Sequence, residues 1–201
     1  MLIPVLFKKL LLIIRQSSRI ILRLVIIDQV TKSFLINYLR KKPGLTLEIT
    51  SFLDIVYSWN YGISFGILRQ YYQYSNIFFA AINSLIIAYL WSILLKCKTM
   101  TSFTGYSFVI GGAIGNLLDR LINGGVFDFI HFHYKNLSFP IFNLADAFIS
   151  IGVLFLLHDY YKNKKIVEHD RELKYTEQAI EDQAERIRQL DFEKHMNSKE
   201  E

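Results

Sequence analysis

The sequence predicts an all-α membrane protein of four transmembrane helices, with a small extracytoplasmic loop region, patterned for short strands, between spans one and two. Three observations carry the prediction. Hydrophobic residues make up 52% of the 201-residue chain and the mean hydropathy is +0.24, too apolar for a soluble domain of this size. Charge is uneven as well: of the 18 Asp and Glu residues, only Asp28, Glu48, Asp54, Asp119, Asp128, Asp146 and Asp159 precede Lys162. A soluble domain carries about 25% charged residues, roughly twice the share in residues 1–161. Third, uncharged runs recur at the length that crosses a hydrocarbon core. The chain thus divides into a membrane core, residues 1–161, and a polar tail, residues 162–201.

The first span, near residues 12–37, is apolar by majority but interrupted by Arg15, Arg19, Arg23, Asp28 and Lys32. The three arginines recur every fourth residue on one helix face, from which long stems snorkel toward headgroups. The loop that follows alternates β-branched residues near Leu45 to Val56 and carries Trp59, Tyr61, Tyr71, Tyr72 and Tyr74, aromatic residues suited to a bilayer interface. The second span, residues 77–95, holds no charge, and its 19 residues at about 1.5 Å each reach the ~30 Å hydrocarbon thickness. The third, residues 99–118, is also uncharged, with Gly105, Gly111, Gly112 and Gly115 placed to admit a neighbouring helix. The fourth, residues 139–157, is apolar apart from Asn143 and Asp146 and opens on Phe139-Pro140, with proline in the first-turn place a helix tolerates.

In the tail, Ile166, Leu173, Ile180 and Ile187 are spaced by seven, but His169, Thr176 and Gln183 break the second apolar row of a coiled coil. A solvated helix or a disordered segment is the expectation there. Four spans put both termini on one side, and Lys8, Lys9, Arg15, Arg19, Lys96, Lys98, Lys162, Lys164 and Lys165 assign that side to the cytoplasm. Arg40, Lys41, Lys42, Arg69 and Lys135 then lie outside. The basic residues flank apolar runs without an interleaved aromatic stripe, a pattern for lipid headgroups and not for nucleic acid. The single cysteine, Cys97, excludes an intramolecular disulfide. His131 and His133 share one side of a strand but lack a third ligand, so no metal site is expected.

Ionisable residues inside a membrane are costly, about 2.5–3.5 kcal/mol each on insertion scales, and so mark function. Four clusters contain them: Asp28 to Lys32; Asn60-Tyr61-Gly62 to Gly66; Gly111 to Arg120, in which Gly112, Asn116 and Arg120 share one face; and Val126 to Asp146. Asp128 lies in the short connection after span three and Asp146 about two turns into span four, so the two carboxylates belong near one another. A carboxyl pair sharing one proton can activate water with its ionised member and donate to a carbonyl oxygen with the other, which is acid–base hydrolysis of an amide. Asn116, Arg120 and Asn143 are placed to orient the pair and offset its charge. Structural readings stand beside these: Asp119 next to Arg120 suits a cap or a local partner, Asp128 a turn, and Asp28 with Lys32 an i,i+4 ion pair.

In order, Asp28-x-x-x-Lys32, Asn60-x-Gly62-x-x-Phe65, Gly111-Gly112-Ala113-x-Gly115-Asn116-x-x-Asp119-Arg120, Val126-x-Asp128-Phe129 and Phe142-Asn143-x-Ala145-Asp146 resemble the motifs of bacterial lipoprotein signal peptidase, also called signal peptidase II. The resemblance runs from Asp28 to Leu157. It implies a four-span aspartic peptidase of the bacterial inner membrane that removes the signal peptide from diacylglyceryl-modified prolipoproteins, cutting before the lipid-bearing cysteine, with no cofactor or metal. It matches the catalytic pair to Asp128 and Asp146, and support or substrate binding to Asp28, Lys32, Asn60, Gly62, Asn116, Asp119, Arg120 and Asn143. Membrane lipids as partners, a site toward the periplasmic face and inhibition by globomycin-type cyclic peptides are implied too. One departure bears on pocket width: the family usually has Gly-Ala-Ala-Phe where this chain has Gly62-Ile63-Ser64-Phe65. Two other classes compete, a small transporter or proton channel with carboxylates spread through the membrane depth, and a scaffold whose tail recruits partners.

Overall fold

The computed structural model describes residues 2–62 and 72–197. Ile63 to Gly66 of the second cluster, Arg69 and Tyr71 lie outside the described residues. In chain order the elements are α1 (Leu2–Leu39), a 3-10 turn (Pro43–Leu45), β1 (Thr46–Thr50), β2 (Leu53–Asn60), α2 (Tyr72–Leu94), α3 (Met100–Asn123), β3 (Val126–Tyr134), β4 (Leu137–Ser138) and α4 (Leu144–Asn197). The fold is mostly helical with one small antiparallel sheet. Helix α1 starts well before residue 12: its only proline, Pro4, lies in the first turn, where the missing N–H costs nothing. Helix α3 runs past residue 118 because its stop signal comes later. Thr99 caps its start by accepting from Ser102 N at 3.1 Å, and Gly124, at φ 75, ends it with its N–H donating to Arg120 O.

The strands are ordered β1-β2-β3-β4. Among the described residues, half of the sheet comes from the loop between α1 and α2. The other half is the connection between α3 and α4, expected from sequence to be a short link. Its Val126 to Phe129 are buried, and Val126, Phe127 and Asp128 pair with Asn60, Trp59 and Ser58 of β2. A register shift between Ile55 and Ser58 sits beside that pairing. Helix α4 does not open on Phe139-Pro140. Phe142 exchanges backbone hydrogen bonds with Ile130, at 2.8 Å and 3.1 Å, which holds the chain extended until Leu144. Asp146 is thus in the first turn of α4, not two turns in.

Helix α3 packs against both α1 and α2, and its glycines are what allow the approach. A Cβ at Gly111 would lie 2.9 Å from Leu24, one at Gly115 would lie 2.7 Å from Asp28 Oδ2, and one at Gly112 would strike the Ala145 carbonyl. Ile21, Leu94, Phe103 and Ile110 form one core, between helices; Leu39, Phe127 and Phe129 form another, under the sheet, with Tyr57 and Trp59 against it. The outward helix faces are apolar too: Leu22, Phe34, Ile77, Leu85, Ile122 and Leu154 are all exposed, the pattern of a lipid-facing surface. Among the described residues, Ser75–Leu94 and Leu144–Gln183 are long and apolar enough to cross a membrane. Helices α1 and α3 carry the buried charges Asp28, Lys32 and Asp119 among their apolar residues. Contacts divide the chain into two units, Met1–Leu157 and His158–Glu201; in the second, a continuation of α4, Ile166, Leu173 and Ile180 are exposed.

Candidate active site

Among the described residues, three helices and two strands bring polar side chains to one place: Asp28, Gln29 and Lys32 from α1, Asn60 from β2, Asn116 and Asp119 from α3, Asp128 from β3, and Asn143 with Asp146 at the start of α4. The innermost layer is ionic. The Lys32 ammonium, 2% exposed, lies 2.8 Å from Asp28 Oδ2 and 2.9 Å from Asp119 Oδ2, and donates to Asn116 Oδ1 at 3.2 Å. Two carboxylates facing one ammonium leave negative charge that backbone donors offset. Ala145 N donates to Asp28 Oδ1 at 3.1 Å, and Phe127 N to Asp119 Oδ2 at 3.2 Å. Ala145 is in the first turn of α4, whose N–H has no partner within its own helix. Asp28 therefore supplies a cap from a different helix, where the helix dipole favours an anion.

Above this layer, Asn143 and Asp146 form a reciprocal cap: Asp146 N donates to Asn143 Oδ1 at 3.0 Å, and Asn143 N donates to Asp146 Oδ2 at 3.1 Å. The Asn143 amide Nδ2 donates to Asp128 Oδ1 at 2.6 Å and to Asn116 Oδ1 at 3.1 Å. Asn116 Nδ2 in turn donates to Asp146 Oδ1 at 2.8 Å. The two aspartates are thus both bonded to Asn143, one through its side chain and the other through its backbone. Burial pushes the Asp128 carboxyl up to about 6; the Asn60 donor at 3.0 Å opposes that shift and the nearby charge of Asp146 adds to it. A carboxyl that holds its proton close to neutrality, beside a second that accepts two N–H donors, can both give and take a proton in one site.

Asn60 accepts from Gly62 N at 2.9 Å through Oδ1, a turn that needs Gly62 at φ 80. A Cβ there would lie 2.5 Å from the Phe79 ring. The Arg120 guanidinium lies close enough to Asp128, Asp146 and Asp119 to interact with their charges. Among the described residues no hydrogen bond joins it to Asp128 or Asp146; its guanidinium lies 5.4 Å from the Phe79 ring centroid, and Nη1 is buried without a partner. It lines a cavity of about 240 Å³ with Asn116, Phe79, Ile82, Ile86 and Ile149. Sequence reading passed over three residues. Gln29 Nε2 donates to Asp28, Asp119 and the Gly115 carbonyl. Asn76 donates to Arg120 O at 2.8 Å, and Asn83 to Ala113 O at 3.0 Å. Asn76 and Asn83 are seven apart near and within an uncharged run, a spacing that puts both on one face and was available as a signal. His133 lies 3.0 Å from Asp54 without a hydrogen-bonding geometry, and His131 pairs with Ser138 at 2.8 Å, both on the sheet and away from the aspartates' partners.

Fold and site together define a class: a helical membrane enzyme equipped for acid–base chemistry on a peptide bond. The family described as Signal peptidase (SPase) II matches residues 20–162, and the chain belongs to that family. It is 59% identical over 182 residues to the lipoprotein signal peptidase of Rickettsia bellii, covering 90% of this chain and 93% of that one. Against the lipoprotein signal peptidase of Rickettsia prowazekii the identity is 57% over 188 residues, with 94% and 97% covered. A solved bacterial membrane enzyme superposes with a TM-score of 0.63 at 32% identity, covering 75% of this chain and 90% of the other. The family and the gathering of Asp28, Asp119, Asp128 and Asp146 into one network support a peptidase over a transporter or proton channel, which needs its carboxylates spread along a path.

Proposed function

We propose that the chain removes the signal peptide from diacylglyceryl-modified prolipoproteins, cutting before the lipid-bearing cysteine, with Asp128 and Asp146 as the acid–base pair. The observation that carries the reading is the double engagement of Asn143, which ties both carboxyls to one rigid helix start. Asp128, raised by burial, holds the shared proton and Asp146 is the base. Asp146 takes a proton from water as the water oxygen bonds to the scissile carbonyl carbon, and Asp128 gives its proton to the carbonyl oxygen. Collapse of the resulting diol breaks the C–N bond, with the proton on Asp146 passing to the leaving nitrogen and a hydroxyl proton returning to Asp128. Asp28, Lys32, Asn60, Gly62, Asn116, Asp119 and Asn143 hold this arrangement, and Arg120 faces the cavity where substrate lies.

The chain is read as four spans in the bacterial inner membrane, both termini cytoplasmic and the site toward the periplasm. Two acyl chains then hold the substrate cysteine at the outer leaflet, at the depth of the aspartates, so the bilayer itself positions the amide. Membrane lipids and inhibition by globomycin-type cyclic peptides belong to the same reading. Purified protein incubated with a synthetic diacylglyceryl-cysteine peptide tests it. Asp128→Asn and Asp146→Asn should each leave less than about a hundredth of normal turnover, a barrier rise of at least ~2.7 kcal/mol, since an amide neither donates nor accepts the proton in flight. Retention of more than that by either variant overturns the assignment.

A further inference from the structure

Arg40, Lys41 and Lys42 directly follow α1, at the end where the proposed topology puts the extracytoplasmic surface. Three cations there run against the positive-inside bias, and the cleavage reaction has no use for them. Two are engaged with rings. Arg40 Nε donates to the Tyr57 hydroxyl at 3.1 Å, and Lys42 Nζ lies 5.1 Å from the Tyr38 ring centroid. Lys41 is exposed and closes an open groove of about 630 Å³ that runs along α1. One wall of the groove is polar, with Gln29, Ser33, Asn37 and Lys41 at every fourth position; the other is Val30, Phe34 and Tyr38. Val30 is 62% exposed and Phe34 65%, and Phe34 stacks on Tyr38 with centroids 5.9 Å apart. From Gln29 to Leu39 the helix rises about 15 Å, the half-thickness of a ~30 Å hydrocarbon core, and Lys41 follows just beyond its end.

We propose that this groove holds one anionic phospholipid of the outer leaflet, with its phosphate at Lys41 and an acyl chain against Val30 and Phe34. Charge decides between occupants. The diacylglyceryl group of the substrate is uncharged and offers Lys41 nothing, whereas a phosphodiester does. Asn37 gives one of its two amide N–H groups to the Ser33 carbonyl at 2.9 Å, and Lys41 is the charged donor lining the groove. The inference rests on the topology proposed above, but its test needs no turnover.

Native mass spectrometry of the purified full chain, titrated with phosphatidylglycerol or with phosphatidylcholine of the same chain length, reads the site directly. One phosphatidylglycerol should be retained with about fivefold or greater preference, the worth of one cation near a phosphate. Lys41→Gln should bring the two lipids level, Lys41→Arg should restore the preference, and Arg15→Gln with Arg19→Gln should leave it unchanged. Equal retention by the parent chain, a preference that survives Lys41→Gln, or one lost with Arg15 and Arg19 overturns the proposal. So does displacement by millimolar glycerol phosphate, which would mean a free-phosphate site. Cleavage of the diacylglyceryl-cysteine peptide, measured on the parent chain, keeps the two readings apart: no lipid preference with intact cleavage fails this one alone, and a preference without cleavage fails only the peptidase mechanism.

Discussion

At Asn143, one side chain and one backbone N–H reach both aspartates, so the chemistry and the start of α4 are a single structure. The protonation of Asp128 is the quantity most open to measurement. Its folded value, about 6, lies above the unfolded one near 3.8, so the stability it contributes is present below about pH 4 and is lost as pH rises through 6. Asp128→Asn should therefore gain stability relative to the parent between about pH 4 and pH 8, by on the order of 1–2 kcal/mol once solvent screening is allowed for. Thermal unfolding in detergent at the two pH values checks this. The activity profile carries the same sign: kcat/KM should fall on the alkaline side as the shared proton leaves the free enzyme, with apparent values that belong to the coupled pair. Lys32 sets the other residue-scale expectation. Lys32→Met leaves Asp28 and Asp119 buried together without their cation, and should cost about 3–5 kcal/mol of folding stability, read as a lower unfolding midpoint that an Asn116→Ala variant does not match.

At the scale of elements, α4 joins two roles end to end. Its first turn carries Asp146 and accepts the cap from Asp28, while its far part, past Leu157, forms a separate unit with exposed Ile166, Leu173 and Ile180. The family model ends at residue 162, whereas the match to the Rickettsia prowazekii relative covers 94% of this chain and so takes in part of the continuation. Truncation after Lys165, which keeps the basic run Lys162, Lys164 and Lys165 that helps fix orientation, should leave cleavage of the lipidated peptide within tenfold of the full chain. A larger loss with the protein still folded and inserted would make the continuation part of the enzyme. Helix α3 shows why its glycines cluster on one stretch: Gly111, Gly112 and Gly115 face Leu24, Ala145 and Asp28, and any Cβ would push α1 and α4 off the positions that bring Lys32 and Asp146 to Asn116.

For the molecule as a whole, the decisive expectation is topology. In a Cys97→Ser background, cysteines placed at Asn136, in the turn between β3 and β4, and at Thr176, in the far part of α4, should differ. A membrane-impermeant thiol reagent should label the first in intact cells and not the second. Labelling at Thr176 would break the four-span reading and move the site to the other face. Much of this protein is legible in sequence because it is local. Apolar runs of the right length marked the helices, fourth-residue spacing paired Asp28 with Lys32, and the order of five short motifs identified the family. Other features were decided only by tertiary structure. Ile130 and Phe142 bond across the chain, so the sheet draws half its strands from the α3–α4 connection and α4 starts late, at Leu144. The cap on Ala145 comes from Asp28, 117 residues away, and Arg120 lines a cavity beside Phe79 while its charge interacts with Asp128 and Asp146. Periodicity and spacing report what a segment can bury, whereas strand partners, borrowed caps and the aim of a long side chain depend on which distant segment arrives beside it, and that is fixed only when the helices close on one another.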